Sequence, residues 1–220
     1  MIDPDLVAER LREVRRTISE VERPWSHDVS IVAVTKGFDD AAVDAAVAAG
    51  CPTIGENYAQ ELLAKRAAVE RHRPTVEFIG RLQTNKVRLV ADLVDIWASV
   101  DRDSVVDEIA KRAPGARILV QVDTTGDPAK GGCPIDDVAA LVTRADGRGL
   151  HVEGLMTVGP TGEPPEAARP GFAVVRRLVD EIGLEVCSMG MSGDLGVAVE
   201  EGSTEVRLGT ALFGPRPPRT

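Results

Sequence analysis

Aromatic residues are scarce in this chain: one Tyr, two Trp and four Phe make up 3% of 220 residues. So few rings leave little on which nucleobases could stack. Positive charge is also in deficit, with 26 Lys and Arg against 35 Asp and Glu and a net charge of −9. A general nucleic-acid surface needs a basic patch that such a balance does not supply. No nucleic-acid partner is expected, although a local basic pocket for one small anion is compatible with the composition. Cysteine is limited to Cys51, Cys133 and Cys187, odd in number and without CxxC spacing. This reads as reduced thiols of a cytoplasmic protein, with neither a disulfide framework nor a zinc site. His27, His72 and His151 show no metal-binding spacing, so no metal is expected. No apolar run approaches the roughly 18 residues of a membrane span. The opening, MIDPDLVAERLREVRR, lacks the apolar core of a signal peptide. The reading is of a cytoplasmic protein without a membrane partner.

What remains is an ordinary soluble composition, 43% hydrophobic and 28% charged. No linker or low-complexity tract divides the sequence, so residues 1–220 read as one domain. Asp3 and Pro4 open a helix within residues 1–23, with an apolar stripe at Leu6, Leu11, Val14, Ile18 and Val21, ended by Pro24. Strand and helix patterns then alternate. Strands are predicted over Ser30–Thr35, Pro52–Gly55, Val76–Ile79, Asp95–Ala98, Arg117–Val122, Leu150–Met156, Glu185–Cys187 and Thr204–Leu208. Helices are predicted over Asp39–Ala49, Tyr58–Arg71, Asn85–Ala91, Ser104–Arg112, Asp136–Arg144 and Glu166–Ile182, with a short one after Ser192. Eight strands in an α/β alternation point to a single (β/α)8 TIM barrel with an extra N-terminal helix. A doubly wound open sheet is the alternative.

Barrel chemistry gathers at the carboxyl ends of the strands. Those ends read Lys36, Glu56-Asn57, Gly80, Ser99, Asp123, Met156-Thr157, Ser188 to Ser192 and Arg207 to Thr210. Lys36 is one of only five lysines against 21 arginines. A partly desolvated lysine there has a lowered pKa and can attack a carbonyl, whereas a solvated one is a plain strand-end cation. Met189 to Asp194 offers glycines, the Ser192 hydroxyl and a helix start, either an anion cradle or a simple cap. Gly209 and Thr210 would complete the cradle. Arg207 ends an apolar strand and needs an acceptor whether it points inward or outward. Asn57 and Tyr58 line the mouth or cap the next helix. Lys130 reads as a loop lysine, with a reserve role toward an aldehyde. A reactive lysine, an anion cradle and an inward arginine together suit a phosphorylated aldehyde, and pyridoxal 5′-phosphate fits. Its aldehyde would form a Schiff base with Lys36, and Arg207 would keep the pyridine nitrogen unprotonated.

The chain also resembles the pyridoxal phosphate homeostasis protein family, single-domain relatives of the alanine racemase barrel. The matching segments are Ala33-Val34-Thr35-Lys36, Gly55-Glu56-Asn57-Tyr58, Phe78-Ile79-Gly80-x-Leu82-Gln83-x-Asn85-Lys86, Lys130-x-Gly132, Gly154-Leu155-Met156, Met191-Ser192-x-Asp194, and the run from Gly202 to Gly214. The resemblance implies an alanine-racemase N-terminal-domain fold, a cofactor on Lys36, phosphate contacts from Ser192, Gly209 and Thr210, and Arg207 at the ring nitrogen; with Asn57 and Met156 from the strand ends, these are the expected cofactor-binding residues. It also implies intracellular vitamin B6 homeostasis without catalytic turnover. Glu77 departs from the family, which often has His there.

Racemisation would need a second base, and the relatives supply a tyrosine from an extra domain. Here the sequence runs from the barrel into Pro215-Arg216-Pro217-Pro218-Arg219-Thr220, and Tyr58 is its one tyrosine. A carrier is therefore expected, with apo pyridoxal phosphate enzymes as partners and a monomeric state. The alternatives are a low-efficiency amino-acid racemase using Tyr58 or Cys133, and a phosphate-binding barrel acting through partner proteins.

Overall fold

The structure, a computed structural model, describes residues 2–216. Residues 217–220, part of the tail read above as following the barrel, lie outside the described residues.

Helix α1 (Pro4–Glu20) begins as its sequence dictates: Asp3 Oδ1 accepts a 3.0 Å hydrogen bond from the Asp5 amide, and Pro4 occupies the first turn. Its buried face is Val7, Leu11, Val14 and Ile18, not the stripe that began at Leu6. Counting back four residues from Leu11 reaches Val7, and Leu6 falls on the exposed side.

The eight strands are β1 (Ser30–Val34), β2 (Thr53–Glu56), β3 (Thr75–Phe78), β4 (Ile96–Val100), β5 (Arg117–Gln121), β6 (His151–Met156), β7 (Val186–Ser188) and β8 (Glu205–Leu208). All pair in parallel in chain order, and β8 closes on β1 through Ile31 opposite Val206 and Val32 opposite Arg207. Closure removes both sheet edges, so the open-sheet alternative is set aside. Around the barrel stand α2 (Ala41–Ala48), α3 (Ala59–Ala64), α4 (Arg66–His72), α5 (Thr84–Val90), α6 (Asp103–Arg112), α7 (Val138–Gly147), α8 (Arg169–Ile182), α9 (Leu195–Glu200) and α10 (Thr210–Phe213). The single helix predicted from Tyr58 to Arg71 is two helices that break at Lys65, whose side chain turns into the protein.

The pleat sorts the strand residues into two sets. Ala33, Ile54, Val76, Trp97, Ile118, Leu155 and Val206 face outward into the layer shared with the helices. Ile96, Ala98, Leu119 and Met156 pack together inside the barrel. Register carries the inward set around the barrel: Val34, Gly55, Glu77 and Ile96 lie level with one another, and Arg207 lies level with Val32. The interior is therefore apolar on the β4–β6 side and ionisable on the β3 and β8 side.

Candidate functional site

A cavity of about 630 Å³ opens at the carboxyl ends of the strands. Lys36, Asn57, Ser192, Arg207, Gly209 and Thr210 all line it. Met156 does not. Its side chain is buried in the interior cluster, and Val158, two residues on, lines the cavity instead.

Lys36 follows β1 and is held from both sides. On one side, Lys65 Nζ donates to the Thr35 carbonyl at 2.7 Å and to Glu56 Oε1 at 2.5 Å, and Thr35 Oγ1 donates to the same Glu56 oxygen at 2.5 Å. All three side chains are buried. On the other side, the Gly37 amide donates to Glu61 Oε2 at 2.7 Å. Gly37 adopts φ +77° with the Arg216 side chain lying across it, so no other residue fits there without strain. The Lys36 ammonium is disfavoured, first by burial and then by Arg216 and Arg207; Glu56 and Glu61 oppose this more weakly. The outcome is a lysine held below its usual range, as a carbonyl nucleophile requires.

Arg207 points inward and is 4% exposed. Its Nη1 donates to Ser188 Oγ at 2.7 Å and its Nη2 to the Thr157 carbonyl at 2.6 Å. Both partners are neutral. Burial lowers its pKa, and Glu205, Glu77 and Asp194 support its charge from further off. Asn57 leaves Oδ1 buried without a partner, an acceptor open to a ligand donor. Its backbone is pressed against Gly80: a Cβ there would stand 2.1 Å from the Asn57 carbonyl oxygen.

Across the cavity, the loops after β7 and β8 are tied together by the Ala211 amide, which donates to Ser192 Oγ at 3.1 Å. Asp194 Oδ1 accepts from the Met191 amide at 2.6 Å and shapes the first of these loops. Arg216 Nη2 lies 3.8 Å from where a Cβ of Gly209 would be, so a guanidinium borders the Ser192, Gly209 and Thr210 cradle.

Six cations line the cavity, Lys36, Arg81, Lys86, Lys130, Arg207 and Arg216, with no carboxylate among the lining residues. On a chain of net charge −9 this is the local basic pocket that the composition left open. Sequence reasoning missed Arg81, Lys86 and Arg216 as lining residues. Arg216 lies past the last strand, where periodicity gives no signal. Arg81 and Lys86 sit inside a quoted motif, but their reach into the mouth depends on the β3–α5 loop conformation. Lys130 Nζ donates to the Gly159 carbonyl at 2.8 Å, so it is anchored at the rim.

The remaining candidates separate. Tyr58 lines the rim and is 45% exposed. Cys133 is buried and is not among the cavity-lining residues, its thiol pushed up to about 11 by burial and then by Asp137. Asp123 binds the Thr125 and Gly126 amides of its own loop. Among the described residues no group of three His, Cys, Asp or Glu could hold a metal ion, and no helix is long and apolar enough to cross a membrane.

Residues 2–217 match the model of the alanine racemase N-terminal domain. The chain is 36% identical over 220 residues to the pyridoxal phosphate homeostasis protein of Pseudomonas aeruginosa, covering 96% of each. It superimposes on PipY of Synechococcus elongatus PCC7942, solved with pyridoxal phosphate bound, with TM-score 0.82 at 32% identity, covering 94% of this chain and 100% of that one. Lysine decarboxylase of Selenomonas ruminantium, at 18% identity and TM-score 0.73, shares the fold, with 96% of this chain matching 61% of that one. By sequence and by fold, the chain belongs to the alanine racemase N-terminal domain family and, within it, to the pyridoxal phosphate homeostasis proteins.

Proposed function

We propose that this chain binds pyridoxal 5′-phosphate in the β1–β8 cavity and serves intracellular vitamin B6 homeostasis as a carrier without catalytic turnover. The observation that carries the reading is the placement of Lys36, Arg207 and the Ser192, Gly209 and Thr210 cradle around one cavity. The residues fit the group. An aldehyde needs an amine of depressed pKa, which Lys36 has. A phosphate dianion needs hydroxyls, close backbone and cationic charge, which Ser192, Thr210, Gly209 and Arg216 offer. Arg207 has no proton acceptor to offer a ring nitrogen and can only donate, so it would hold that nitrogen unprotonated and weaken the ring as an electron sink. The coenzyme supplies a carbonyl for reversible capture by an amine; this chain supplies the amine, the anion cradle and the donor.

The carrier reading draws further support from Cys133, whose raised pKa and absence from the cavity lining count against one of the two second bases considered. Loading and release suit delivery to apo enzymes by a cytoplasmic monomer. The test is visible absorbance of the purified protein with added coenzyme, then borohydride reduction and peptide mapping. A reduced adduct on Lys36 is expected. A protein that stays colourless, or an adduct only on Lys130, overturns the assignment.

A further inference from the structure

Below the cavity floor the barrel interior holds two glutamates without a base in contact. Glu77 on β3 lies level with Gly55 and Ile96; Glu205 on β8 lies level with Ser30 and Ser188. Both point inward, at 1% and 8% exposure. Their carboxyl groups are within hydrogen-bonding reach of each other. Each buries one oxygen with no partner, Glu77 Oε2 and Glu205 Oε1.

An ionised carboxylate can only accept hydrogen bonds. Two ionised groups here would orphan both oxygens and set like charges together away from water. One proton between them satisfies both oxygens at once. We propose that Glu77 and Glu205 share one proton in the folded protein at neutral pH, and that the pair, with one net negative charge, is the counter-charge of Arg207. The proton is taken from solvent on folding.

The neighbouring charges agree with this count. Arg207 of β8 faces the pair, and its direct partners are neutral. Arg117 of β5 also acts on Glu77 but is bound to Glu153 of β6. Asp194 acts on Arg207 from the loop after β7. Burial pushes the Glu77 carboxyl well up, and Glu205 adds to the effect. Within the barrel, Arg207 and the one shared negative charge cancel, with Asp194 acting on Arg207 from the β7 loop outside it; Glu77 and Glu205 are positioning residues that keep Arg207 a charged donor toward the cavity. Only the effect on coenzyme affinity rests on the function proposed above.

Infrared difference spectroscopy of the full-length protein on hydrogen–deuterium exchange tests the proton directly. A protonated-carboxyl stretch is expected at neutral pH in the wild type, lost in both Glu77→Gln and Glu205→Gln. Each single variant keeps the charge count, and its amide donates where the proton did. Stability and coenzyme dissociation constant should therefore stay within about twofold of wild type. The double variant removes the counter-charge, and its dissociation constant should rise about tenfold or more. Absence of the stretch at neutral pH overturns the shared proton. Single effects that sum to the double overturn the counter-charge role. If the stretch is present but the wild type never binds coenzyme, the reading of the cavity fails and the shared proton stands; the unfolding midpoint of the double variant then reports on Arg207.

Discussion

Lys65 donates a 2.7 Å hydrogen bond to the carbonyl oxygen of Thr35, the residue immediately before Lys36. The same ammonium meets the buried Glu56 carboxylate, whose other oxygen, Oε2, has no partner. Burial pushes the Glu56 carboxyl up, and Lys65 and Thr35 pull it back. Lys65→Met would leave that carboxylate unpaired, at a cost of about 3–5 kcal/mol. Glu56→Gln combined with Lys65→Met should recover part of the loss. Urea unfolding of the three proteins checks this, and equal losses in the single and double variants would count against the pairing.

Arg216 sets the Lys36 amine from outside the strands. It is the largest charge effect lowering the Lys36 pKa, second only to burial. The neutral amine is the reactive form, so capture of an aldehyde rises as pH passes upward through the Lys36 pKa. Removing Arg216 raises that pKa, so the midpoint of the capture profile in Arg216→Ala should move to higher pH. Arg81→Ala, which removes a cavity cation not among the groups shifting Lys36, should leave the midpoint unmoved. Rates of borohydride trapping across pH give the measurement.

Gly80 and Gly147 make a contrast in backbone space. A Cβ on Gly80 would overlap the Asn57 backbone, so Gly80→Ala should cost about 3 kcal/mol by overpacking and displace Asn57 from the cavity. Gly147, the last residue of α7, has nothing within 4 Å of such an atom, and Gly147→Ala should gain about 0.5–1 kcal/mol. Thermal unfolding of both variants reads the two signs.

Glu77 gives stability a slope with pH. Its folded pKa is raised, so the folded state binds more protons than the unfolded chain once pH exceeds the ordinary glutamate value near 4.3. Stability from this group therefore falls as pH rises above that value toward the folded pKa. Between mild acid and neutrality, Glu77→Gln should show a flatter dependence of unfolding free energy on pH than the wild type. An unchanged slope would show that Glu77 is ionised in the fold.

The barrel was legible because its signals are local: eight short strand patterns such as Ile31 to Val34, each set off by a helical pattern or a turn residue such as Gly50 or Gly183. Lys36, Ser192, Gly209 and Thr210 were legible for the same reason, since strand ends face one mouth. Lys65 was not. Nothing in a helical pattern says that one lysine will turn inward to a carboxylate nine residues earlier and break the helix. Met156 was placed one layer too high, because a strand end fixes direction but not depth. Glu77 and Glu205 are 128 residues apart, and only the barrel register brings them together.

Lys36 stands at the end of β1, and Arg207, Gly209 and Thr210 stand on and just after β8. These two strands are the farthest apart in sequence of any pair that touches, and their meeting is the seam that shuts the barrel. A ligand held by both sides of that seam would bind only the closed form, so its binding energy would add to the stability of the contact that closes the longest stretch of chain. A ligand bridging the two sides would then act as a clasp, added to the strand pairing, the Phe38–Phe213 contact and the packing of α1 that already hold the seam.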